Sequence, residues 1–66
     1  MIFKPGDIVV WHSDNEEVYF IVEVNLEKKE YRVFVLNHYL KERVGVSHTL
    51  WFLELKKYIL LKDKKL

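Results

Sequence analysis

Apolar and polar positions alternate with the two-residue period of strands over much of this chain. Residues 8–12, IVVWH, are β-branched and aromatic and follow the turn formers Pro5 and Gly6, so a first strand is predicted there. Residues 13–17, SDNEE, read as a polar loop. Residues 18–24, VYFIVEV, read as a second strand. Val18, Phe20, Val22 and Val24 share one face and Tyr19, Ile21 and Glu23 the other; the wholly apolar first set is expected to face the core. Residues 25–30, NLEKKE, form a charged hairpin connection. Residues 31–39, YRVFVLNHY, are a third strand in which Tyr31, Val33 and Val35 alternate with Arg32, Phe34 and Leu36. Both sets are largely apolar, so the pattern does not choose the inward one. Residues 40–48 contain a turn near residues 42–45.

Residues 49–61, TLWFLELKKYILL, hold nine large apolar residues among thirteen positions. As a helix they would be apolar nearly all round, which a chain of 66 residues cannot bury. The favoured reading is a strand over 49–52, continuing from 44–48, a single 3₁₀ turn over 53–56 and a last strand over 57–62. A short C-terminal helix packed on an antiparallel sheet is the alternative. Trp51 and Phe52 are expected in the core. The predicted class is all-β: one domain over residues 1–66, five short strands, and a 3₁₀ turn before the last of them.

The residues that carry a resemblance are the opening Phe3-Lys4-Pro5-Gly6-Asp7-Ile8-Val9-Val10, the paired strands over 18–24 and 31–37, and Leu50-Trp51-Phe52 ahead of Tyr58-Ile59-Leu60. Together they resemble an SH3-like small β-barrel, with an opening similar to Tudor-like and KOW-type domains. Most of all they resemble small SH3-like proteins encoded by tailed phages. The resemblance spans nearly the whole chain and implies a fold and a setting rather than an activity. KOW-type nucleic-acid binders usually carry a further glycine where this chain has Glu16-Glu17-Val18. The Ala-Leu-Tyr-like start of polyproline-binding SH3 domains is missing. A Tudor-like cage for methyl-lysine would need clustered aromatics, for which Trp11, Tyr19, Tyr31 and Tyr39 are the candidates.

Composition narrows the functional classes. There is no cysteine, hence no disulfide framework or thiolate site, which fits a reducing cytoplasm. The start, MIFKPGD, lacks the apolar stretch of a signal peptide. No apolar run approaches the roughly 20 residues of a membrane span. His12, His38 and His48 match no metal-ligand spacing and are expected to be ordinary strand-end residues; no metal or cofactor is expected. Ser13 beside His12 and Ser47 beside His48 are poor catalytic pairs, because neighbouring strand residues point to opposite faces. A carboxylate pair among Glu16, Glu17 and Glu23 has no deep cleft to work in. The chain is expected not to be an enzyme.

Binding functions remain. In a protein-interaction module the aromatic anchors would be Trp11, Tyr19, Tyr31 and Tyr39 with Arg32, and Trp11, Tyr19 and Tyr31 are expected to be exposed. The alternative is nucleic-acid binding through Lys28, Lys29, Arg32, Lys41, Arg43, Lys56 and Lys57. The net charge of +1 decides nothing, but its distribution is uneven. Residues 1–25 carry one lysine against five carboxylates, a net of −4; residues 26–66 carry ten Lys or Arg against five Asp or Glu, a net of +5. Lys62, Lys64 and Lys65 read as a solvated tail. Self-association through a strand edge is a third expectation, with the apolar residues 58–61 as the edge most in need of cover.

Overall fold

The computed structural model describes residues 2–11 and 16–63. His12, at the end of the expected first strand, and residues 13–15 of the expected 13–17 loop, like Lys64 and Lys65, lie outside them. Five strands form one antiparallel sheet: β1 (Ile8–Trp11), β2 (Val18–Asn25), β3 (Glu30–Asn37), β4 (Ser47–Trp51) and β5 (Tyr58–Leu60). Their order across the sheet is β4-β3-β2-β1-β5. Among the described residues two short 3₁₀ helices stand beside the strands, at Lys41–Arg43 and Leu61–Asp63. The chain is therefore all-β.

The opening turn is set by Pro5 and Gly6. Pro5 fixes the second position, and Gly6 takes φ +95° at the third, where a side chain would be strained. The Asp7 N–H donates to the Lys4 carbonyl at 3.0 Å, and the Lys4 N–H donates to Asp7 Oδ2 at 2.8 Å. Gly6 and Asp7 are then tied to Ile21: the Gly6 N–H donates to its carbonyl, and its N–H donates to the Asp7 carbonyl, both at 2.8 Å.

The inward face of β2 is the reverse of the one its apolar pattern suggests. Tyr19 and Ile21 are buried, whereas Val22 is 42% exposed and Val18 and Phe20 are half-buried. The register explains the difference. Ile21 pairs with Val33 but Glu23 pairs with Arg32, so Val22 is an extra residue in a β-bulge. Beyond it Val24 packs against the core, opposite Tyr31. In β3 the inward set is Tyr31, Val33 and Val35. With Phe3, Val9, Leu55 and Tyr58 these residues make the core. Each large apolar side chain buried this way contributes roughly 1.5–3 kcal/mol.

Residues 49–61 form strand, turn and strand. The N–H groups of Glu54, Leu55 and Lys56 donate to the carbonyls of Trp51, Phe52 and Leu53, three residues back, which is the 3₁₀ spacing. The Glu54 carboxylate accepts the Trp51 N–H at 2.7 Å and closes the turn in the manner of a capping box. This segment crosses from one edge of the sheet to the other and drops Leu55 into the core. Phe52 packs against the core as expected, but Trp51 does not enter it and is 57% exposed. Trp51 follows Leu50, which packs inward, so strand alternation turns the indole out.

The β2–β3 hairpin is closed by Asn25, whose Oδ1 accepts the Lys28 N–H at 2.9 Å. Lys29 takes φ +56°, the left-handed region, where a Cβ is unfavourable. Lys29→Gly is expected to stabilise the fold by about 0.5–1 kcal/mol, read as a higher denaturation midpoint at unchanged slope.

Candidate functional site: a carboxylate held by two phenols

The ends of β1, β2, β3 and β5 meet at one end of the sheet: Val18 pairs with Asn37, Trp11 pairs with Tyr58, and the Trp11 N–H donates to the Glu17 carbonyl at 3.2 Å. Glu17 immediately precedes β2. Its Oε1 accepts hydrogen bonds from the hydroxyls of Tyr19 and Tyr58, both at 3.0 Å. His38 Nε2 stands 3.6 Å from the same oxygen. The Leu40 N–H donates to His38 Nδ1 at 3.0 Å, so Nδ1 is an acceptor and the ring proton lies on Nε2, facing the carboxylate.

Aromatic rings frame this carboxylate. Tyr19 and Tyr58 are tilted with centroids 5.6 Å apart, and Trp11 stands edge-on to Tyr58 at 5.4 Å. Tyr39 stacks on His38 at 4.6 Å and is 60% exposed. Burial pushes the Tyr19 phenol up from 10.0 to about 12; the hydrogen bond to Glu17 and the carboxylate charge add to this, while the charge of Arg43 opposes it. Burial also raises Tyr58, reinforced by Tyr19 and Glu17. Both phenols therefore stay protonated as donors, and neither is activated as a nucleophile. They hold in place a carboxylate whose side chain is 26% exposed.

Of the expected anchors, Trp11, Tyr19 and Tyr39 come together here. Tyr31 and Arg32 do not. Tyr31 packs between Phe3 and Phe52, with centroids 5.9 and 4.5 Å away, and its oxygen accepts the Phe3 N–H at 3.1 Å. Arg32 is exposed on the outer face of β3, across from Glu23 and Thr49. The expected exposure of Tyr19 and Tyr31 is wrong, because both lie on the inward faces of their strands; Trp11 is half-buried. His38 is no ordinary strand-end residue but a buried member of the cluster. His48 is half-buried on β4, opposite Val33.

The basic residues do not gather into one patch. Lys28 and Lys29 sit in the β2–β3 hairpin, and Lys41 and Arg43 in the 3₁₀ turn beyond the other end of β3. An eight-residue strand separates the two pairs by about 25 Å. Lys56 and Lys57 lie in the turn before β5. Lys56 borders a second feature, an apolar cleft of about 540 Å³ lined by Phe3, Tyr31, Phe52, Leu55 and Leu60.

Glu17, Tyr58 and His38 were not legible as site residues. They are 21 and 20 positions apart in the chain, and no spacing rule joins them. Among the described residues no His, Cys, Asp and Glu side chains group to hold a metal ion, and no helix is long and apolar enough to cross a membrane.

Fold and site together define a small antiparallel all-β domain with an anchored, partly exposed carboxylate set among aromatic rings. The chain matches no family model, no curated protein and no solved structure.

Proposed function

We propose that this chain is a small non-enzymatic binding module that docks a protein partner through the aromatic surface around Glu17, taking a lysine or arginine side chain of that partner. One observation carries the reading: two tyrosine hydroxyls fix the same carboxylate oxygen beside the rings of Trp11 and Tyr39. A preorganised anion suits an ammonium or guanidinium through a charge-assisted hydrogen bond, and the exposed Tyr39 ring nearby is open to cation–π contact. The acidic balance of residues 1–25 favours the same class of partner. Five strands with a one-turn link before the last support the SH3-like small-barrel reading of the fold.

The test is an amide NMR titration with lysine- and arginine-containing peptides, compared with single-stranded and duplex oligonucleotides at low and moderate salt. Peptide-induced shifts are expected at Trp11, Glu17, His38 and Tyr39. Glu17→Gln keeps an acceptor for the two phenols but removes the charge, and Tyr39→Ala removes an exposed ring. Each is expected to weaken binding about tenfold, as the loss of one charged or cation–π contact would. Shifts confined to Lys28, Lys29, Lys41 and Arg43, produced by oligonucleotides and lost as salt rises, would replace this reading with nucleic-acid binding.

A further inference from the structure

The open edge of β4 has a pattern that fits a second copy of itself. β4 is hydrogen-bonded to β3 alone. Its even-numbered flanks turn their backbone groups toward the β2–β3 hairpin and β3: the Val46 carbonyl accepts the Val35 N–H, and the Phe52 N–H donates to the Lys29 carbonyl, both at 2.9 Å. Trp51 turns both of its groups the other way, to Glu54: its N–H meets the carboxylate at 2.7 Å and its carbonyl accepts the Glu54 N–H at 3.0 Å. By the alternation of an antiparallel ladder, the N–H and carbonyl groups of Ser47 and Thr49 face the open edge.

Nothing in β4 guards that edge. Ser47-His48-Thr49-Leu50-Trp51 contains no Lys, Arg, Asp, Glu or Pro, and its five pairs with β3 keep one register; the bulge in this pairing lies just before it, where the Gly45 N–H and the Val46 carbonyl both meet Val35. The opposite edge, β5, is only three residues long and is flanked by Lys57 and by the Leu61–Asp63 turn.

We propose that the protein forms a two-fold dimer in which β4 pairs antiparallel with β4 of a second copy, centred on His48. In that register Ser47 of each chain meets Thr49 of the other, and the two pairs exchange four backbone hydrogen bonds, using the groups left open. The Glu54 cap on Trp51 stays intact. A register centred on Thr49 would set Ser47 against Trp51 and compete with Glu54 for its backbone groups.

Side-chain placement agrees with this arrangement. Trp51 at one end of β4 and Phe34, which pairs with Ser47 at the other, are exposed. The antiparallel register carries Trp51 of each copy toward the Ser47 end of the other, on the side of Phe34. The contact is small, so it is expected to form in the micromolar range or weaker. It does not involve Glu17 and stands independently of the docking function.

The experiment is sedimentation equilibrium of the whole chain from micromolar to millimolar concentration, with hydrogen exchange at both limits. The expected result is a rise from 8.1 kDa toward twice that mass, with the Ser47 and Thr49 amides protected only in the associated form. Thr49→Pro removes an N–H that the monomer does not use, at an edge position that tolerates proline. It is expected to weaken association at least tenfold while the circular dichroism spectrum is retained. Trp51→Lys alters an exposed side chain and is expected to do the same; it decides the matter if the proline variant fails to fold. A wild-type chain that stays monomeric throughout, or a dimer that survives in the folded variants, overturns the proposal.

Discussion

Ile21→Ala is expected to cost about 2–5 kcal/mol, whereas Val22→Ala, one residue along the same strand, is expected to cost less than about 1 kcal/mol. Ile21 is fully buried and packs with Val9, Val33 and Leu55 in the core, and its backbone holds the opening turn in place. Val22 is the bulged residue and points to solvent. The whole stability of a 66-residue domain is on the order of 3–10 kcal/mol, so losing the Ile21 side chain removes a large share of it. The thermal midpoint should fall by about 10 °C or more for Ile21→Ala and by only a few degrees for Val22→Ala. Calorimetry of the two variants checks this. Equal losses, or a larger loss at Val22, would mean that β2 turns its other face to the core.

Alkaline unfolding should reveal the tyrosine cluster. Unfolded tyrosine loses its proton near pH 10, but Tyr19 keeps its proton in the fold until about pH 12, and Tyr58 is raised as well. A group whose folded pKa is raised gives stability that is complete below its unfolded value and is lost as pH rises through the folded one. The fold should therefore hold full strength up to about pH 10 and weaken steadily to pH 12 and beyond. From Tyr19 alone the loss is about 2–3 kcal/mol, and Tyr58 adds to it. Denaturant unfolding at stepped pH, with phenolate absorbance recorded in parallel, measures both quantities. Because burial is the largest cause for each phenol, Glu17→Gln should flatten the profile only in part. Tyr19→Phe removes the Tyr19 contribution outright. A profile level through pH 12 would show that the phenols titrate alike in the folded and unfolded chain.

Where the strands fall, and that the class is all-β, can be read from the order of residues along the chain. Those features are local. Pro5 and Gly6 demand a turn, and β-branched and aromatic runs demand extended backbone. An all-round apolar stretch at 49–61 cannot be a buried helix in so short a chain. Strand edges were legible to within about three residues for the same reason, the largest miss being the start of β4 at Ser47. The inward face of β2 was not legible, because Tyr19 and Ile21 are as apolar as Phe20 and Val22 and the two-residue period is identical for either choice. The pairing with β1 and β3, and the bulge at Val22, settle it. Trp51 shows the same limit from the other side: its size suggested the core, but its place after an inward Leu50 sends it out.

The site belongs to the tertiary structure almost entirely. Trp11 and Tyr39 stand out as candidate anchors from residue type alone. The carboxylate between them does not, because Glu17, His38 and Tyr58 are distant in the chain and become neighbours only when the ends of β1, β2, β3 and β5 lie side by side. Residue type decides what each side chain is able to do, and strand pairing decides which of them meet.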